Sequence, residues 1–232
     1  MKIKLVKYDN EIISALAALV CTSNLSVEEV FTDENTKDSS KLDVLSRVLD
    51  MGHMSIIEHL TFTFIVSGIS RALSHQLVRH RIASYSQKSQ RYVKEEQFEY
   101  IVPPSIQKDE TALTMFEEWM SRTQAIYDYL LVAKNIPAED ARFVLPNACE
   151  TQIVITMNAR SLLHFLGERC CTTAQWEIRK MANLMLDELK FVSPTIFKDA
   201  GPKCFNLGYC PEHKNRCCGF RKHKSDVLNC LL

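Results

Sequence analysis

Arg79-His80-Arg81 sets two guanidiniums on either side of one imidazole. From His59 to Lys94 there is no Asp or Glu, while Arg71, Arg79, Arg81, Lys88, Arg91 and Lys94 all fall there. Cations gathered this way repel one another unless an anion, or carboxylates from elsewhere in the chain, compensate them. On a helix, Gln76 lies at i−3 from Arg79 and i−4 from His80, so these three would share a face. If residues 87–91 are extended, Gln87, Ser89 and Arg91 point the same way. An amide, a hydroxyl and a guanidinium on one side suit a phosphorylated nucleoside, since Arg forks onto phosphate and Gln matches a pyrimidine edge. A solvated basic face, or an RNA- or phosphate-binding module using the basic 71–94 segment with Tyr85 and Tyr92 for stacking, fits the same pattern. Spacing and charge reach as far as a phosphate-bearing ligand.

These residues need a scaffold, and the hydrophobic pattern supplies one. Ile3–Tyr8 reads as a short strand, Glu11–Cys21 as a helix, and Ser39 or Ser40 as the cap of a helix to Met51, stopped by Gly52. Leu60–Val66 alternates Phe62, Phe64 and Val66 with Thr61 and Thr63, a strand pattern. Ser70–Arg81 returns to helical spacing, residues 83–93 look extended or irregular, and a long helix is expected over Ser105–Lys134, with a shorter one after Pro137. Thr151–Thr156 is strand-like. Asn158–Cys170 and Ala174–Val192 are two further helices, the second broken at Ser193-Pro194. The fold class is α+β, with mixed helices around a central sheet.

Composition narrows the choices further. Lys+Arg and Asp+Glu both number 28 in 232 residues, so no whole-chain charge excess points to nucleic acid or membrane. No apolar run is long enough to span a bilayer. Asp9 and Glu11 before the apolar Ile12–Val20 argue against an export signal, so a cytoplasmic protein with reduced thiols is expected. Five of the nine Cys (Cys204, Cys210, Cys217, Cys218 and Cys230) fall in the tail. Cys204, Cys210, His213 and Cys217 could make a zinc knot, but without a paired C-x2-C motif the expectation is no metal and a weakly ordered tail.

Residues 79–89 also match R-H-R-x7-S, and this segment resembles the signature of the flavin-dependent thymidylate synthases. Gly52-His53-Met54-Ser55-Ile56-Ile57-Glu58-His59, Ser70-Arg71, His75-Gln76-Leu77-Val78 and Ser89-Gln90-Arg91-Tyr92 extend the likeness. So do Ala141–Pro146, Asn158–Leu162, and Arg169 with Ala174–Ile178, so the resemblance covers about residues 40–200. It implies a thymidylate synthase complementing-type fold, a catalytic domain over residues 1–200 and a Cys-rich tail over 201–232. The implied reaction is methylation of dUMP to dTMP, with 5,10-methylenetetrahydrofolate as carbon donor and NADPH-reduced FAD as reductant. By the same resemblance Ser55, Arg79, His80, Arg81, Asn158, Arg160 and His164 contact FAD, and His53 lies near the flavin and the folate path. Gln76, Arg79, Gln87, Ser89, Gln90, Arg91, Arg142 and Arg169 bind dUMP, and Arg169 is the catalytic residue, favouring ionisation at N3 of the pyrimidine. Many members have Glu where this chain has Gln87, so a hydrogen-bonding role, in place of one needing negative charge, is expected there.

Without G-x-G-x-x-G or a P-loop, Arg and His side chains must carry the FAD phosphates. Cys21, Cys149, Cys170 and Cys171 lack a thiol-activating context, so the flavin is expected to replace a Cys nucleophile. Asn158 and Arg169 lie on one helix roughly 16 Å apart along its axis, while Arg160 and His164 form an i, i+4 pair on another face. One pocket in one subunit could hardly use all four. A site shared between subunits could, which fits the family's homotetramer with interfacial sites, an obligate oligomer.

Overall fold

Alternation and helical periodicity are both realised in the computed structural model, which describes residues 1–32 and 37–228. Strand β1 (Lys2–Tyr8) leads to helices α1 (Ile12–Thr22), α2 (Val27–Thr32) and α3 (Asp38–Asp50). A 3₁₀ turn (Met54–His59) then enters β2 (Thr61–Ser70), α4 (Arg71–Leu77) and β3 (Ser84–Gln87). Helices α5 (Pro104–Gln107), α6 (Glu110–Asp128) and α7 (Ala138–Ala141) precede β4 (Glu150–Asn158). Next come α8 (Ala159–Arg169), α9 (Trp176–Val192) and α10 (Pro194–Phe197), then α11 (Lys203–Leu207) and α12 (Lys224–Leu228) in the tail. The strands make one sheet in the order β1-β2-β4-β3, and the chain is α+β.

The residues gather into two compact units that interleave in sequence. One consists of Met1–Lys2, Ile65–Arg79 and Tyr85–Ile155; the other of Ile3–Phe64, His80–Ser84 and Thr156–Leu232. In the first, Phe98, Met120 and Cys149 form a core with Tyr100, Phe116 and Leu145 against it. Gly68, in β2, has a φ of +69°, and a Cβ there would stand 2.7 Å from the backbone nitrogen of Met1. Both the conformation and the close approach require glycine. In the second unit α1 packs on α3, Phe62 meets Phe197 edge-on at 5.5 Å, and the buried carboxylate of Glu11 accepts the Ile196 N–H. Residues 201–228 belong to this unit.

Gly52 ends α3 as expected. Its φ is +84°, its N–H donates to Leu49 O, and the next N–H, from His53, donates to Val48 O, closing a Schellman motif. The helix begins at Asp38 instead of being capped by Ser39 or Ser40; the acidic Asp38 sits in its positive first turn. The long helix expected over Ser105–Lys134 is divided, because Asp109 accepts the Ala112 N–H and so caps a new start at Glu110.

Two deviations bear on the site. Helix α4 stops at Leu77 and does not reach Arg81, so Gln76, Arg79 and His80 share no helical face. Leu77 is the last buried apolar residue of this segment; Val78 and Ile82 are exposed and His80 and Arg81 are polar, so further helix would bury nothing apolar. Likewise β3 ends at Gln87, and the chain turns at residues 90–92. There the Ser89 Oγ accepts the Arg91 N–H at 3.2 Å and the Val93 N–H donates to Ser89 O. Gln87, Ser89 and Arg91 therefore do not alternate along one strand face. The described part of the tail is folded, not weakly ordered: Cys210 is buried and bridges to His223, between α11 and α12. Cys230 lies outside the described residues, and among those described no three His, Cys, Asp or Glu come together as a metal site.

Candidate active site

The first unit holds Gln76, Arg79, Gln87, Ser89, Gln90, Arg91 and Arg142, seven of the eight residues expected around dUMP. Gln87, the last residue of β3, is fixed by two buried hydroxyls. Its Nε2 donates to Ser74 Oγ at 2.9 Å and to Thr151 Oγ1 at 3.2 Å. Ser74 Oγ in turn donates to Arg71 O at 2.9 Å, so its single hydrogen is already used and it meets Gln87 as an acceptor. Arg91 pairs with Glu139 at 3.0 Å, both about half exposed, and Arg142 Nε donates to Glu139 O. Arg79 is exposed, and its N–H reaches back to Gln76 O. Tyr85, whose OH donates to Leu77 O, ties β3 to the end of α4; burial pushes its phenol up to about 12.

Three further residues join this set. Arg71, His75 and Asn147 line a cavity of 210 Å³ together with Gln90, Arg142 and Phe143. Among the described residues no carboxylate lines it. Burial lowers the Arg71 pKa most, and the Arg142 charge lowers it further, against the raising influence of Cys149 and Glu95. Its Nη1 donates to Lys88 O at 3.3 Å, which holds the segment leading into the turn. Like charges facing an open cavity favour an anion there. Arg71 is visible in the acid-free cation run, but only the fold shows that it lines one cavity with Arg142, from outside that run.

The second unit holds His53, Ser55, His80, Arg81, Asn158, Arg160, His164 and Arg169. His53 and Ser55 flank the start of the 3₁₀ turn and are exposed, as are Arg81 and His164. Asn158 caps α8, its Oδ1 accepting the Ser161 N–H at 2.8 Å, which leaves its NH₂ and a second Oδ1 lone pair to meet a ligand. Arg160 pairs with Glu58. Arg169 ends α8, where a cation complements the terminal carbonyls, and its Nε–H donates to His80 Nε2 at 3.0 Å. The His80 ring stands edge-on to Phe165, with centroids 5.0 Å apart, and 5.8 Å from His164. Burial above all, then the Arg169 and His164 charges, depress its pKa to about 4 against the pull of Glu168, so His80 is neutral at pH 7.

The buried thiols of Cys149 and Cys170 are silent by comparison. Burial raises Cys149 to about 11 and Cys170 to about 12, far from the thiolate that a nucleophile requires. The polar groups on offer are thus cations, amides and a neutral imidazole. They suit electrostatic handling of an anionic nucleotide better than covalent attack on it.

An α+β scaffold with no dinucleotide-type glycine turn, carrying such side chains, defines a nucleotide-binding enzyme outside the Rossmann class. The family model for thymidylate synthase complementing protein matches residues 4–195. Relatives named flavin-dependent thymidylate synthase include one from Clostridium tetani, 48% identical over 94% of this chain and 93% of its own length. Another, from Geobacter sulfurreducens, is 50% identical over 94% of each chain. The crystal structure of the flavin-dependent thymidylate synthase from Helicobacter pylori, complexed with FAD and dUMP, superposes with a TM-score of 0.66 at 26% identity, covering 87% of this chain and all of that one. The chain belongs to the thymidylate synthase complementing protein family, whose members here are flavin-dependent thymidylate synthases. Membership supports the enzyme reading of the basic segment.

Proposed function

We propose that the chain converts dUMP to dTMP, with FAD as its bound cofactor, 5,10-methylenetetrahydrofolate as carbon donor and NADPH as reductant. The observation that carries this reading is Arg169 anchored on a neutral His80 while the buried Cys149 and Cys170 remain protonated thiols. In the first unit Arg71, Arg142 and Gln90 offer the donors and charge for a nucleotide monophosphate, Gln87, whose NH₂ is held by Ser74 and Thr151, has its Oε1 as an acceptor, and Arg91 becomes available once Glu139 yields it. In the second, exposed Arg81, His164 and Ser55 and the half-exposed Arg160 have the chemistry to hold a dinucleotide pyrophosphate, with Asn158 and His53 beside them. The residues fit FAD as a group bound by side chains in place of a glycine turn. When bound, FAD would supply the redox chemistry between the nicotinamide and the transferred carbon. Arg169 stabilises negative charge developing on the uracil as N3 loses its proton, which makes C5 nucleophilic without a thiol adduct.

Because Asn158 and Arg169 bracket α8 while Arg160 and His164 lie on another face, we assign the working form to a homotetramer with sites at subunit interfaces. No described helix is long and apolar enough to cross a membrane, which fits the proposed cytoplasmic location. The test is release of deuterium from 5-labelled dUMP by the flavin-loaded protein. Release with dTMP formation only when folate and NADPH are both present is expected. A protein that purifies without flavin, or forms no dTMP with all components, overturns the reading.

A further inference from the structure

We infer that His80 is a positioning residue for Arg169, its imidazole fixing the guanidinium that acts on the uracil. This rests on the role given to Arg169 above. Arg169 is the last residue of α8, and its long side chain would otherwise sample many rotamers at a considerable entropic cost to any ordered contact. Here it has a fixed partner, the Nε–H···Nε2 bond of 3.0 Å to His80. The anchor is itself packed. His80 stands at 81° to the fully buried Phe165, which is carried on the same helix one turn before Arg169.

The choice of atoms matters. Bonding through Nε uses the nitrogen nearest the stem and leaves the two Nη groups of the planar fork clear of His80. Because Nε2 accepts, the ring proton sits on Nδ1, so one hydrogen bond sets both the tautomer of His80 and the direction of the fork. An imidazolium could not do this, since both of its nitrogens donate and its charge would repel the guanidinium. Burial, Arg169 and His164 together keep the ring neutral, with Glu168 opposing them. The imidazole between the two arginines of the R-H-R run thus has a task that does not require it to touch the ring undergoing reaction.

Flavin-loaded His80→Phe and His80→Gln test this, with kcat and KM for dUMP measured per bound flavin. Phe keeps the edge-on packing and removes the acceptor; Gln places an amide oxygen near the position of Nε2 and gives up the ring. Loss of positioning should lower kcat of His80→Phe by about tenfold or more, with Gln recovering it to within about threefold. A role in packing alone predicts the reverse order, and that order overturns the proposal. The ¹⁵N shifts of His80 provide a readout independent of turnover. The wild-type ring should be the Nδ1–H tautomer, and Arg169→Ala should mix the two tautomers. A wild-type Nε2–H tautomer refutes the hydrogen bond whatever the kinetics. If the bond is present but Arg169→Ala still makes dTMP at the wild-type rate, the role of Arg169 is wrong, and positioning for catalysis fails with it.

Discussion

Replacing Gln87 by Glu changes one atom type at a site where one hydrogen-bond direction, that of Ser74, is already committed. Ser74 is fully buried and Thr151 nearly so, and both hydroxyls receive the Gln87 NH₂. Ser74 cannot turn its hydrogen toward residue 87 without releasing Arg71 O, which it bonds at 2.9 Å. An ionised carboxylate at position 87 would therefore face an acceptor where an amide donor stood, losing a hydrogen bond and leaving polar atoms unsatisfied in a partly buried place. That costs about 1–3 kcal/mol. Protonation relieves it, because a neutral carboxyl can donate. The lost hydrogen bond raises the folded-state pKa of the introduced carboxyl and the Arg71 guanidinium on the adjacent Lys88 O opposes it, so the net rise is at most roughly 1–2 units, at 1.36 kcal/mol per unit. A raised folded pKa means that stability is intact below the unfolded value, roughly pH 4.3, and is lost as pH rises through the folded value. Thermal unfolding of Gln87→Glu and wild type from pH 4.5 to 8 should show a gap in Tm that widens with pH. Each kcal/mol corresponds to roughly 2–4 °C for a chain of this length. A Gln87→Glu protein matching the wild type at pH 8, or differing from it equally at every pH, would show that the amide is not oriented by Ser74 and Thr151.

Arg81→Ala, and Arg79→Ala beside it, should each weaken FAD binding about tenfold to a hundredfold through loss of a charge-assisted bond, measured as flavin per chain after dialysis; full flavin retention would remove them from the cofactor set. Cys149→Ala, Cys170→Ala and Cys171→Ala combined should leave kcat within an order of magnitude in folded, flavin-loaded protein, whereas Arg169→Lys should keep flavin and lose most dTMP formation. An inactive triple variant beside a nearly normal Arg169→Lys would reverse the thiol-free mechanism. Gly68→Ala should destabilise by more than about 1 kcal/mol, since it strains a positive φ and drives a methyl group into the Met1 backbone; unchanged denaturant midpoints would contradict that geometry.

Local chemistry was legible in the sequence where a single element settles it. The alternation of Phe62, Phe64 and Val66 made a strand, Gly52 ended α3, and Asn158 opened α8, because side-chain period, left-handed backbone and capping act within a few residues. The R-H-R-x7-S run and the blocks around it were enough to name the family and its reaction. Sequence could not say where α4 stops, because that depends on which side chains find something apolar to bury, and directly after Leu77 none does. Nor could it show that Ser74 and Thr151, separated by 77 positions (151 − 74), converge on the amide of Gln87, or that Arg71 and Arg142 line one cavity. The bond between Arg169 and His80 belongs to the same class. Its partners are 89 residues apart, and the burial that keeps the imidazole neutral exists only once Phe165 and the end of α8 are packed around it.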